Sequence, residues 1–198
     1  MTEAELSSSA HKTCLELLDA AAQINREIKV INDKFASSDF DVEKFPSSLP
    51  LKNFTLTQTG AGTGPKLNPF YKTVRTHTGI DLMAPFGSDV VATANGTVVE
   101  VVRSGKGLGN CVVLDHNGIQ TVYAHLNEVE VRYGERVRRG EVIGTVGNSG
   151  TTFASALHYE VRVMGRGMNP VDYFFAELSP YTFNEMSVRA LTGGQSLD

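Results

Sequence analysis

The sequence contains no tryptophan and only two cysteines in 198 residues, Cys14 and Cys111. They lie far apart, in segments of different character, so they form no metal-type cluster and are read as two separate buried thiols in preference to a disulfide. No apolar run approaches the roughly 20 residues that span a bilayer. The opening "MTEAELSSSAHKTC" is polar, unlike a secretory signal. The stretch as written is expected to be soluble, with membrane contact only through an anchor outside it. There is no basic excess either: the formal charge is -4 and the lysines and arginines are scattered, which argues against a nucleic-acid partner. A hydrophobic content of 41% suffices for one domain with a real core and an appendage, not for two full domains.

What is present falls into three stretches. In residues 6–35 apolar side chains recur at helical spacing, among them Leu17, Ile24, Ile28 and Ile31. This predicts a long amphipathic helix that packs on the main domain, a partner or a second copy of itself. Ala21 and Cys14 in the stripe weigh against a dedicated zipper. "SSDFDVEKFPSSLP" then serves as a linker. Beyond Leu51 the pattern becomes short β-rich runs separated by glycine. In "CVVLDHNGIQTVYAHL" the Asn-Gly sits between two alternating runs, which predicts a two-residue hairpin turn. The expected fold is mainly β, an antiparallel sandwich or barrel-like domain over residues 51–177, preceded by a helix and linker in residues 1–50. Residues 178–198 are expected to be a tail, frayed over "RALTGGQSLD".

Five histidines carry the candidate chemistry: His11, His77, His116, His125 and His158. His77 opens "HTGIDL", with Asp81 four residues on and Gly79 between them to let the backbone turn tightly. An imidazole and a carboxylate there, with His158 from the late strand "SALHYEVRV", would make three ligands and leave a fourth position open, a composition suited to catalytic zinc. On spacing alone, a surface or satisfied core role is the commoner explanation of such histidines, and the metal site is the lesser one. The alternation of that late strand puts Ala156, His158 and Glu160 on one face.

The blocks "HTGIDLMAPFGSDVVATANGTVVEVV", "GLGNCVVLDHNGIQTVYAHLNEVEVRYGERVRRGEVIGTVGNSG" and "LHYEVRVMGRGMNPVDYF" resemble, in order, those of the LytM/lysostaphin-type zinc peptidases, the M23 peptidase family. The resemblance runs from about Phe54 to Phe175 and excludes the N-terminal stretch. It implies a LytM-type fold with Zn2+ held by His77, Asp81 and His158. His125 would face the developing oxyanion, and the first histidine of the family's His-x-His strand would be the general base. That position is Ala156 here. His116 and His11 receive no site role.

The resemblance also implies hydrolysis of peptide cross-links in bacterial peptidoglycan, in a cell-envelope or periplasmic setting. Loss of the base alone, with every ligand kept, favours deliberate inactivation over natural decay, although "TTFASA" also departs from the family's usual run and leaves natural drift as the alternative. Phe70, Tyr71 and Arg75 are candidate contacts for the substrate. A non-catalytic peptidoglycan-binding or amidase-activating module is the competing function, and the N-terminal helix is the candidate element for docking or self-association.

Overall fold

The computed structural model describes residues 41–68 and 72–197. The helix expected over residues 6–35, with His11 and Cys14, lies outside the described residues, as do Phe70 and Tyr71.

Strands β1 (Gly64–Asn68) and β2 (Thr73–His77) form an antiparallel pair, with Gly64 opposite His77. Nine strands make a second, antiparallel sheet: β3 (Ile80–Met83), β4 (Asp89–Val91), β5 (Gly96–Val102), β6 (Asn110–Asp115), β7 (Ile119–Val129), β8 (Arg136–Val137), β9 (Val142–Val146), β10 (Ala156–Val163) and β11 (Arg166–Met168). The mainly β, antiparallel expectation holds for the described residues. The Asn-Gly hairpin forms as its residues require: Asn117 and Gly118 both have positive φ, 70° and 97°, and the His116 N–H donates to the Ile119 carbonyl at 2.8 Å.

Strand β10 organises the molecule. It pairs with β7 along one edge and with β3, then β11, along the other. Leu157, Tyr159 and Val161 point to the main core with Ile80, Leu82, Leu114 and Tyr123, all buried. Because side chains alternate, His158 and Glu160 must face the other way. On that opposite face Cys111, Val113, Val122 and Ala124 form a second, smaller apolar cluster. Cys111 is a free, buried thiol, and burial pushes it up to about 11.

Beyond β11 the structure departs from the sequence reading. Most of "RALTGGQSLD" is ordered into helix and docked strand. Helix α1 (Pro180–Thr192) starts at Ser179, whose hydroxyl accepts from the Thr182 N–H at 3.1 Å, with Pro180 in the first turn. Met186 and Ala190 bury its inner face in the core.

Candidate metal centre

The centre is built by register. Asp81 on β3 lies directly opposite His158 on β10, and His158 lies opposite Ala124 on β7, so three adjacent strands deliver Asp81, His158 and the neighbour of His125 in one row. His77 ends β2 and reaches the same point. His77 Nε2, His158 Nδ1 and Asp81 Oδ1 are mutually 3.1 Å apart. All three residues are buried.

The outer partners explain which atoms converge. His77 Nδ1 lies 2.9 Å from the Gly62 carbonyl, which can only accept, so Nδ1 carries the proton and Nε2 presents a lone pair. His158 Nε2 lies 3.1 Å from Glu160 Oε1, which commits that nitrogen to donation and turns the Nδ1 lone pair inward. Three acceptor atoms at such separations repel one another unless they share a cation. Bonds of about 2.0–2.1 Å in a tetrahedron give ligand edges of roughly 3.3 Å, so the donor set fits zinc with one position left over.

Glu160 itself is clamped by the Thr78 hydroxyl at 2.5 Å and by Arg162 at 2.6 Å. The sequence reading placed Glu160 on the face of His158 and assigned it nothing further. Gly79 also has a different reason from the one expected. Its φ is not in the left-handed region, and what it supplies is space: a Cβ there would collide with the Tyr159 carbonyl and sit 2.9 Å from His158 Nε2.

His125 stands beside the cluster, its ring centroid 6.0 Å from that of His158. Its backbone is left-handed, φ 60°, inside a strand, a conformation costing about 1–3 kcal/mol and concentrated at functional sites. The ring is steered through Nδ1, which donates to the Ser149 carbonyl at 2.8 Å. Ala156 is buried two residues before His158 and opposite Met83. Arg75 is exposed on β2 and lines a cavity of about 120 Å³ that also contacts His77, Thr78 and Ser196. His116 is distant from these residues in role: it is buried and bonded to the Asn95 carbonyl and the Thr121 hydroxyl.

Both carboxyls of the centre are held low. In the metal-free protein burial opposes the charged form of Asp81, but once the rings of His158 and His77 are protonated, the hydrogen bonds they then donate and their positive charge outweigh it and bring Asp81 down to about 2. Burial is likewise outweighed at Glu160, by His158, Thr78 and Arg162, again to about 2. An unfolded chain titrates such groups near about 4. The stability they contribute is therefore complete above about pH 4.5 and is lost as pH falls toward about 2. Metal-free protein is expected to lose a few kcal/mol over that window, read as the urea midpoint against pH, and Asp81→Asn should flatten this limb. An unchanged limb in the variant would refute the assignment.

The sequence profile described as "Peptidase family M23" matches residues 75–170, the segment that holds every residue of this row. Residues 75–170 are a domain of peptidase family M23. The chain is 44% identical over 116 residues to the DD-carboxypeptidase/endopeptidase Mpg of Neisseria meningitidis, a match covering 58% of this chain and 26% of Mpg. It is 36% identical over 96 residues to the murein hydrolase activator NlpD of Escherichia coli, covering 48% of this chain and 25% of NlpD. The chain thus spans about a quarter of the length of these curated relatives. In structure it is similar to a zinc containing peptidase from Vibrio cholerae, with a TM-score of 0.52 at 35% identity, covering 57% of this chain and 35% of that one.

Proposed function

We propose that this M23 domain is the zinc-dependent endopeptidase centre of an envelope protein acting on peptide cross-links of bacterial peptidoglycan, disabled at its general-base position by Ala156. The observation that carries the reading is the convergence of three buried lone-pair atoms at 3.1 Å, both imidazoles oriented by an outer partner. His77, Asp81 and His158 would hold the ion. Zinc bound there supplies a Lewis acid and lowers the pKa of a bound water toward about 7.

The chain's own groups do the rest. With Nδ1–H donating to the Ser149 carbonyl, His125 would donate from Nε2 to the oxyanion that develops on the scissile carbonyl in its imidazolium form, which carries a proton on both nitrogens. The methyl of Ala156 can neither accept the proton of an attacking water nor orient it. The chain as it stands is therefore expected to bind zinc and peptide while turning over slowly. Relatives that include both an endopeptidase and a hydrolase activator support a peptidoglycan-directed domain in either case. The activator reading draws on Ala156 as well, since an activator has no need of a base.

The deciding experiment is muropeptide release from purified sacculi, resolved by chromatography, for this chain and its Ala156→His variant, both loaded with zinc. Release of cross-linked dimers as monomers by the variant supports the endopeptidase; silence on peptidoglycans of every cross-link type, with zinc bound and the fold intact, refutes it in favour of the activator. In the active background His125→Ala should lower turnover by about 10²–10³-fold with zinc content unchanged, the loss expected for one oxyanion donor. A parallel loss of zinc would instead assign His125 to holding the metal.

A further inference from the structure

The C-terminal segment, expected to fray, runs into the cleft of the metal centre. It is anchored where α1 ends. The buried Lys66 donates through Nζ to the carbonyls of Ala190 at 3.0 Å, Leu191 at 3.1 Å and Gly193 at 2.5 Å, which fixes the direction in which the chain leaves the helix. Residues 194–197 then lie along β1. The Leu67 N–H donates to the Gly194 carbonyl at 3.0 Å, the Ser196 N–H donates to the Leu67 carbonyl at 3.3 Å, and Gln195 sits opposite Leu67 in a parallel bridge. One residue further, the Leu197 N–H donates to Asp81 Oδ2 at 2.9 Å, and its carbonyl accepts from the Phe153 N–H at 3.1 Å.

These bonds describe how a short peptide is held. A main-chain strand is added to the edge of β1, crosses to the loop that carries Phe153, and ends on the carboxylate whose other oxygen faces His77 and His158. Strand addition through the main chain is tolerant of sequence, so what accepts one extended peptide accepts another. Leu197 engages only Oδ2 and leaves Oδ1 with the rings, so tail and ion are compatible.

We propose that residues 194–197 are a built-in occupant of the peptide groove, a strand that must leave the β1 edge before an extended peptide can reach the centre. Leu67, Phe153 and Asp81 Oδ2 are then the main-chain contacts that such a peptide would inherit. The inference rests on the peptidase reading for its consequence in turnover, though not for the binding itself.

The test uses the full-length chain, zinc-loaded, against a full-length double variant, Ser196→Pro with Leu197→Pro. That variant removes both tail N–H donors and leaves α1 and the Lys66 anchor in place. The probe is a fluorescein-labelled peptide with the sequence of residues 193–198, followed by anisotropy. A tethered segment acts at an effective concentration in the millimolar range, so the parent should bind the probe at least about tenfold more weakly than the variant. Equal binding to both, or no binding by a variant whose thermal unfolding matches the parent, overturns the proposal. In the Ala156→His background, releasing the tail should raise muropeptide turnover by about tenfold, and measurable turnover that is equal with tail held or released also overturns it. Probe binding by the released variant, with no turnover from either Ala156→His chain, leaves the occupied groove standing and removes the peptidase reading instead. A chain ending at Gly193 repeats the comparison independently of the proline substitutions.

Discussion

Replacing Ala156 with histidine is expected to raise zinc-dependent hydrolysis of peptidoglycan cross-links by about 10²–10⁴-fold, the contribution of a positioned general base. The geometry for this is already in place. Ala156 and His158 share a face of β10, two residues apart, and Ala156 is opposite Met83 on the strand that also carries Asp81. An imidazole at 156 would therefore stand next to the ion position from the side of the 149–155 loop, where its second nitrogen could reach the attacking water. The substitution also has a cost. Ala156 is 1% exposed, and a larger side chain must displace its neighbours, which typically costs about 1–3 kcal/mol. A lower melting temperature with higher activity is thus the expected pair of results. Higher stability with no activity would mean that the imidazole is accommodated away from the centre, and the base assignment would be wrong. Chromatography of the released muropeptides also identifies the bond cut, by comparing sacculi with direct and with glycyl-bridged cross-links.

The sequence made some of this legible and concealed the rest for physical reasons. The Asn117-Gly118 turn was legible because two consecutive positive φ values are a local demand that few residue pairs meet. The common face of Ala156, His158 and Glu160 followed from alternation alone. That Asp81, His158 and Ala124 stand side by side did not, because strand register is decided by long-range pairing and leaves no mark on any one segment. The left-handed backbone of His125 was similarly hidden, since nothing about histidine announces it. The error at the C-terminus had two sources. Ser179-Pro180 and Gly193-Gly194 were visible start and stop signals for α1 that went unread. The course of the chain beyond α1 depends on Lys66, more than a hundred residues away, and a lysine in a β-rich run gives no sign that it will be buried against carbonyls.

Glu160, which sequence reasoning left without a role, separates orientation from ligation. Asp81→Ala removes a donor atom and should abolish stoichiometric zinc binding at micromolar protein, because two imidazoles would be left to hold the ion alone. Glu160→Gln keeps the shape of the side chain and all three donor atoms. It weakens the acceptor that holds the proton of His158 on Nε2, and outer partners of this kind are worth about 10–100-fold in metal affinity. A competition titration against a chelating dye should therefore give a graded loss for Glu160→Gln and a complete one for Asp81→Ala, both with melting measured in parallel. Thr78 makes the comparison sharper. Its hydroxyl donates to the same Oε1 that accepts from His158, so Thr78→Val should move zinc affinity in the direction of Glu160→Gln, by less. Equal zinc affinity in Glu160→Gln and the parent would show that His158 is oriented by the packing of β10 between β3 and β7 and not by its carboxylate partner. A complete loss would instead mean that the Nδ1 lone pair reaches the ion only while Glu160 holds the tautomer.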